Sequence, residues 1–412
     1  MADSRPPKPL DGVTVVDLTI ALAGPYATQL LAALGATVIK VENPAAGDPA
    51  RNNAPYVGTS GLHLARADAD DMSVSMLERG RGKLSVTLDL KRPEAREVFD
   101  DLARAADVVV ENFSSGTADR LGVGYERISE VNPRIVYLSI SGFGAGEPGK
   151  GMDTIFQALS GLMTTPGSDG DPPVRNAVPF GDLVGPLFGV IGTVSALFMR
   201  EKTGRGQHVD VALLGALTSL IATEPWDTME RAGIATRTGN VVPRLAPFGI
   251  FATRDGHVAL CAPTDAFARG VFEAIGQPGL QGDDRFSSRD RRVANAPELH
   301  ALIAAWAAER TSVDALAELD ARGVPAAIVR DTATAVRDPR AIRRGETVPL
   351  SHPELGLVDE LYGSGFPVRF SAARAGYDAA APRLGEHNEL VLGGLLGYSS
   401  ERIEALRAAG AI

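Results

Sequence analysis

The sequence predicts an α/β protein, with a parallel sheet covered by helices in the larger part of the chain and a smaller α+β unit after it. Over the first 220 residues, short β-branched runs alternate with helical patterns, as they do where crossover helices join parallel strands. From about Glu224 the texture turns to glycine, proline and hairpin signals. The length agrees: 412 residues exceed the size at which one core stops growing, so two compact units are expected.

The first strand is GVTVVDLT (12–19), whose valines and threonines suit a buried, pleated ribbon. PYATQLLAAL (25–34) follows as a helix, opened by a proline whose missing N–H is harmless in a first turn and closed by Gly35. ATVIKVE (36–42) and KLSVTLDL (83–90) read as further strands. A helix from about residue 93 to 106 leads to the strand DVVVENF (107–113), and RIVYLSISGFG (134–144) repeats the pattern. In such sheets ligands sit beyond the carboxyl ends of the strands, which directs attention to residues 19–25, 42–51, 111–121 and 141–153. Further on, Arg254-Asp255-Gly256 marks a hairpin and helical patterns run to about Gly323, which places a smaller unit at 226–330. A Pro- and Gly-rich stretch then leads to the closing segment LGEHNELVLGGLLGYSSERIEALRAAGAI.

Charge narrows the partners. The formal charge is −10 and no block of Lys or Arg is dense enough to track a phosphate backbone, so nucleic acid is not expected. Small anions stay open, because a basic pocket or a helix N-terminus can hold them locally. Six scattered histidines show no metal-ligand spacing, and the one cysteine, Cys261, has no internal disulfide partner. Within HVALCAP it reads as a buried strand residue. The start, MADSRPPKPLDG, lacks the basic head and apolar core of a signal peptide. The most apolar stretch, residues 183–199, contains Pro186 and three glycines and falls short of the ~20 residues that span a bilayer. A cytoplasmic protein without a membrane span is expected.

One carboxylate stands at the mouth of that apolar run: Asp182, in AVPFGDLVGPLFGVIG (177–192). Two roles are open to it. It can cap the helix that runs to Arg200. Alternatively, with Pro186 at the first helical position and Gly185 as the cap, Asp182 lies about a turn upstream, where the positive end of the dipole keeps it ionised. An ionised, partly desolvated carboxylate attacks an activated carbonyl without a base, and no Ser/His/Asp set or G-x-S-x-G elbow competes for that role. GAGEPGK (144–150) matches G-x-x-x-x-G-K and, at Gly144, Gly146 and Gly149, G-x-G-x-x-G. Gly151 replaces the magnesium-binding hydroxyl, Pro148 interrupts the turn, and neither pattern follows the first strand, so the segment reads as a loop after a strand. His387 in LGEHNE and His208 in GRGQHVD read as satisfied turn or surface residues.

Together, PLDGVTVVDLTIALAGPYATQLLAALGATVIKVENPAAGDPAR (9–51), VVVENFSSGTADRLG (108–122), NPRIVYLSISGFG (132–144), TGRGQHVDVAL (203–213) and LGEHNELVL (384–392) resemble the class III CoA-transferases. That family comprises formyl-CoA and carnitine CoA-transferases and α-methylacyl-CoA racemases, and the resemblance runs in order from about residue 8 to the C-terminus. It implies a Rossmann-like large domain built from both chain ends, residues 1–225 and 331–412, with the smaller domain between them. It also implies a homodimer whose subunits thread through each other as linked rings. Acyl-CoA and a small carboxylic acid are the implied substrates, with coenzyme A entering as substrate and no prosthetic group or metal.

The family's catalytic aspartate ends a short segment before an apolar helix, and Asp182 in VPFGDLVG matches it. The resemblance implies attack on the thioester, through an aspartyl-acyl anhydride and an aspartyl-CoA thioester. The racemase branch uses a histidine in a Gly-His-Asp-like motif; here GMDTIFQALSG places Met152 there, and methionine carries no proton, which favours transfer over epimerisation. A CoA-binding scaffold in which Asp182 only caps is the third reading. Ile20, Ala21 and Leu22 resemble the turn that meets the pantetheine and thioester, and Lys83 in RGKLSV matches a basic residue that binds the nucleotide phosphates. Asn112 and Phe113 match the segment beside CoA, and Arg120 an arginine of the same site; the arginine that the family often has near Asn43 is absent. Phe143 and Gly144 are placed beside the substrate. GNVVPRLAPFG (239–249) departs from the four-glycine flap of formyl-CoA transferase, and Arg244, with Arg237, either binds a second carboxylate on the acceptor or lies on the surface.

Overall fold

The computed structural model describes residues 5–412, which form two units. The larger takes the chain up to Ser160, Asn176–Ile221 and Val336–Ile412; the smaller takes Gly161–Arg175 and Ala222–Ala335. Residues 161–175, 222–225 and 331–335, expected in the larger unit, thus join the smaller one.

In the larger unit the elements are β1 (Thr14–Asp17), α1 (Ala23–Ala33), β2 (Thr37–Glu42), α2 (Val74–Arg79), β3 (Lys83–Thr87) and α3 (Pro93–Ala105). They continue with β4 (Val108–Glu111), β5 (Val136–Ser141), α4 (Asp153–Leu159), α5 (Phe180–Thr203), β6 (His208–Ala212) and α6 (Leu213–Ile221). The strands form one parallel sheet in the order β3-β2-β1-β4-β5-β6. Val15 lies beside Val38 on one side and Val108 on the other, and every residue of β4 is buried. Such unbroken apolar runs are what a strand covered on both faces requires. The strand order reverses between β1 and β4, so the loops after these two strands flank the crevice where ligands bind in open parallel sheets.

The C-terminal segment packs back onto this sheet. Val391, Leu392 and Ile403 share a core cluster with Val98, Phe99 and Leu102 of α3 and with Val16, Ile39 and Val109 of the strands. The motif LGEHNE closes the free edge at β3: the Ser85 amide donates to His387 Nδ1 (3.2 Å), the His387 amide to the Ser85 carbonyl (2.9 Å), and the Thr87 amide to Asn388 Oδ1 (2.9 Å). An exposed strand edge is thereby protected.

Helix α5 begins at Phe180 and carries Pro186 inside it, which corrects the expected start at Pro186 with Gly185 as cap. At 24 residues it also has the length and composition to cross a membrane, contrary to the expectation that this stretch falls short. One face packs on the sheet: a Cβ at Gly189 would stand 3.2 Å from Leu138 and one at Gly192 2.6 Å from Val209, so the glycines permit close approach. Thr193, Ala196 and Leu197 continue that face, and Arg200 pairs with Asp107 (2.9 Å). Leu187, Phe188, Ile191, Phe198 and Met199 are exposed.

The smaller unit contains β7 (Phe248–Ala252), β8 (His257–Cys261), α7 (Asp265–Ala274), α8 (Ala296–Ala308), α9 (Ser312–Asp320) and β9 (Ala326–Ile328). Its antiparallel sheet, β7-β8-β9, packs Val258 and Leu260 against Phe272, Ile303 and Trp306. Alternation along β8 turns Cys261 away from that core, so it is exposed rather than buried as expected.

Candidate active site

The chain leaves β1 through a tight turn. Ala21 has φ +67°, the only positive φ of a non-glycine among the described residues. That conformation costs a residue with a Cβ about 1–2 kcal/mol, so it persists only where neighbours hold it. Here both backbone groups of Ala21 are taken: its N–H donates to Asp48 Oδ1 (3.0 Å) and its carbonyl accepts from Arg79 Nη1 (2.9 Å). Asn112, just past β4, grips Ile20 from the other side of the crevice, accepting from its N–H (2.8 Å) and donating to its carbonyl (2.9 Å). Gly24 is required next to this turn, because a Cβ there would lie 2.3 Å from Thr19 Cβ.

Beneath the turn lies a buried ionic network drawn from three adjacent strands. Lys83 Nζ contacts Asp17 Oδ2 (3.0 Å), Thr28 Oγ1 (2.7 Å) and the Pro25 carbonyl (2.9 Å). Lys40 Nζ pairs with Asp48 Oδ2 (2.7 Å) and donates to the Thr19 carbonyl (2.8 Å). Glu42 takes a two-pronged contact from Arg51 (2.8 and 2.7 Å). Burial opposes ionisation of Asp17, yet Lys83 and Lys40 beside it, with the Thr19 and Thr28 hydroxyls, outweigh burial and hold the carboxyl down at about 2. Lys83 is therefore a structural cation with a fully buried side chain, which corrects its expected role on the nucleotide phosphates. Asp48 and Lys40, which sequence reasoning did not single out, support the strained turn.

Asp182 sits in the first turn of α5. The cap position belongs to Pro179, no side-chain capping bond is made, and neither a hydrogen bond nor an ion pair reaches the Asp182 carboxylate among the described residues. Capping is thus excluded as its role. Pro186, lacking an N–H, also leaves the Asp182 carbonyl without its usual helical donor four residues on. The carboxylate is largely buried. Burial first, and then the charge of Asp153, push its pKa up to about 6, while Arg79 draws it partly back. The sequence reading had the helix dipole keeping this group ionised; the dominant influences run the other way. Burial in turn lowers the Arg79 guanidinium, against the pull of Asp48, Glu78 and Asp182.

The start of α5 is held by α4. Asp153 Oδ1 accepts the Gly181 N–H (2.8 Å) and its Oδ2 accepts Gln157 Nε2 (2.6 Å). Gln157 spans to the carbonyls of Asn176 and Val178 (3.2 Å each) and accepts the Asn176 N–H (2.9 Å). Phe143 reaches the same corner, its ring 5.6 Å from that of Phe156, whose Cβ lies close to Gly181. Gly144 has φ +108° and donates to Ser141 Oγ (2.9 Å), while the next amide, Ala145, donates to both Asp210 oxygens (3.0 Å each). That amide of the glycine-rich loop is spent on a carboxylate, as a plain loop after a strand allows.

The structure therefore brings Ile20, Ala21 and Asn112 into one turn, with Arg79 joining Ala21 to the field around Asp182. Phe113 is half-buried against the sheet core, and Arg120 is exposed, donating to Thr117 Oγ1 (2.7 Å). Leu22 precedes α1 without a capping bond. Arg244 lies in the smaller unit, ion-paired with Glu224, and Arg237 there braces the carbonyls of Pro166 and Pro172. Sequence alone does not single out Arg79 or Asp153: the first lies in LERGRGK, a charged run that reads as surface, and the second follows Met152 with no separate signal of its own.

The sequence matches the family described as CoA-transferase family III over residues 10–388. It is 34% identical over 412 residues to a succinyl-CoA–D-citramalate CoA-transferase of Chloroflexus aurantiacus, covering 99% of each chain. It is 36% identical over 406 residues to a succinyl-CoA:mesaconate CoA-transferase of Haloarcula hispanica, covering 96% of this chain and 99% of that one. Among solved structures, a CaiB/BaiF family protein from Brucella suis superposes with a TM-score of 0.81 at 34% identity, covering 94% of this chain and 100% of that one.

Proposed function

The chain belongs to CoA-transferase family III, and from that premise we propose that it moves CoA from an acyl-CoA to a dicarboxylic acid through a covalent intermediate on Asp182. The observation that carries the reading is the state of Asp182: a largely buried carboxylate at a helix start that caps nothing, with its pKa pushed up to about 6. It is mostly ionised at neutral pH, yet has no partner to satisfy its charge, which is the condition of a poised nucleophile.

In the first step an Asp182 oxygen bonds to the thioester carbonyl carbon, the C–S bond breaks, and the electron pair leaves on the CoA sulfur. The thiolate then attacks the aspartyl carbonyl of the anhydride, releasing the donor carboxylate and leaving CoA on Asp182. The acceptor carboxylate repeats the sequence in reverse, and Asp182 returns to its starting state. No proton is transferred in any step. Arg79 opposes the build-up of negative charge, and the turn at Ile20–Leu22, with Asn112, Phe113 and Arg120 at the crevice, carries the CoA. The two relatives' names, each pairing succinyl-CoA with a dicarboxylic acid, support the substrate class. Met152, at the position where an epimerase needs a base, is 81% exposed and carries no proton.

The test incubates the protein with succinyl-CoA and a panel of dicarboxylic acids and reads new CoA esters by mass spectrometry. Hydroxylamine should trap the activated carboxyl as a hydroxamate on Asp182, and Asp182→Ala should abolish exchange; near-normal turnover by that variant overturns the assignment. The assembly in this reading is a homodimer, supported by the exposed apolar stripe of Leu187, Ile191 and Phe198 on α5, and sedimentation equilibrium checks it.

A further inference from the structure

We infer that Asp153 is the positioning residue for the nucleophile: its buried carboxylate pins the first turn of α5 through the Gly181 amide, one residue before Asp182, and is thereby held as a second carboxylate near it, so that acylation of Asp182 relieves their repulsion. This rests on Asp182 being the nucleophile. Asp153 is 7% exposed and both its oxygens are engaged, one by Gly181 and one by Gln157, which is itself fully buried. Its carboxylate is therefore fixed in place and cannot swing away. When Asp182 bonds to the acyl carbon and CoA leaves with the electron pair, Asp182 loses its charge and the repulsion disappears. Like charges held together favour whichever state neutralises one of them, whether that state is made by a proton or by an acyl group.

The groups bearing on Asp182 are few. Asp153 comes from α4 and Arg79 from α2; of the helices packed on α5, α1 brings Tyr26 as its one titratable side chain and α6 brings none. On the strand side, α5 meets the sheet further along, where Gly189 and Gly192 lie against Leu138, Ile140 and Val209, with His208 and Asp210 on β6 and Tyr137 on β5. Removing the charge of Asp153 should therefore act on Asp182 directly.

The full-length protein and its Asp153→Asn, Asp153→Glu and Asp182→Ala variants are compared in the exchange of labelled succinate into succinyl-CoA from pH 5 to 9. In parallel, 13C NMR of aspartate-labelled protein follows the Asp182 carboxyl, assigned by its disappearance in Asp182→Ala, and needs no substrate. Asp153→Asn should lower kcat at pH 8 by roughly tenfold, the factor carried by one pKa unit. It should leave KM for succinyl-CoA within about twofold, and move the Asp182 titration and the acid limb of kcat to lower pH. Asp153→Glu, which restores charge but not position, should bring the titration back toward wild type while kcat stays low. An unmoved titration in Asp153→Asn overturns the inference, as does a loss of kcat and KM together with a lower melting temperature and no shift. If Asp153→Asn does not fold, the titration in Asp153→Glu decides: a midpoint displaced downward in spite of the retained charge overturns it. Exchange by Asp182→Ala at the wild-type rate refutes the nucleophile itself, a result distinct from any outcome at Asp153.

Discussion

Replacing Asp182 by Asn should stabilise the protein at neutral pH while abolishing CoA transfer. Burial and the Asp153 charge raise the Asp182 carboxyl from its ordinary 3.8 to about 6 in the folded chain. A rise of about two pKa units at about 1.4 kcal/mol each corresponds to about 3 kcal/mol. Partial exposure and solvent screening reduce this to about 1–3 kcal/mol. Because the folded value lies above the unfolded one, protonation favours the folded state. That stabilisation of the wild type is complete below about pH 3.8 and is lost as pH rises through about 6. Asparagine has no such titration. The advantage of Asp182→Asn over wild type should therefore grow between about pH 4 and pH 6 and hold constant above. Urea unfolding of both proteins at pH 4.5, 6 and 7.5, at one protomer concentration, measures it. A variant no more stable than wild type at pH 7.5, or one whose advantage is the same at every pH, refutes the reasoning, since it would mean that Asp182 is not held under electrostatic strain.

Arg79→Met removes the cation that draws Asp182 down, so the acid limb of kcat should move to higher pH, above about 6, in a pH–rate profile. Lys83→Met leaves the buried Asp17 charge without its ion-pair partner and should cost about 3 kcal/mol or more in urea unfolding. Molecules that remain folded should bind CoA as before; a rise in KM without loss of stability would restore Lys83 to the phosphates. Asn112→Ala deletes both hydrogen bonds to Ile20 and should raise KM for acyl-CoA about tenfold, with little change in melting temperature.

The parallel sheet was legible because strands covered on both faces are predominantly apolar, as in residues 108–110 of β4 and 136–138 of β5. β6 escaped notice because HVDVA is only half-buried and mixes polar with apolar residues. The start of α5 was misplaced for a different reason. Gly185-Pro186 is a strong local start signal, but Asp153 supplies an acceptor for the Gly181 amide and Gln157 ties down the backbone at Asn176 and Val178, so the helix begins more than a turn earlier. Asp182 itself was legible from its place before an apolar run and from the family resemblance.

By itself, the sequence determined the alternation of strands and helices through β5 and the carboxylate most worth examining, because backbone preference and burial pattern are set within a few residues of each position. Only the tertiary structure decided which charges are compensated. Lys83 finds Asp17 across 66 residues and is lost to the surface, Lys40 finds Asp48, and Arg51 finds Glu42, while Asp182 is brought near Asp153 and left without a direct partner. Coulomb energy depends on distance in space and on burial, neither of which is written in local sequence.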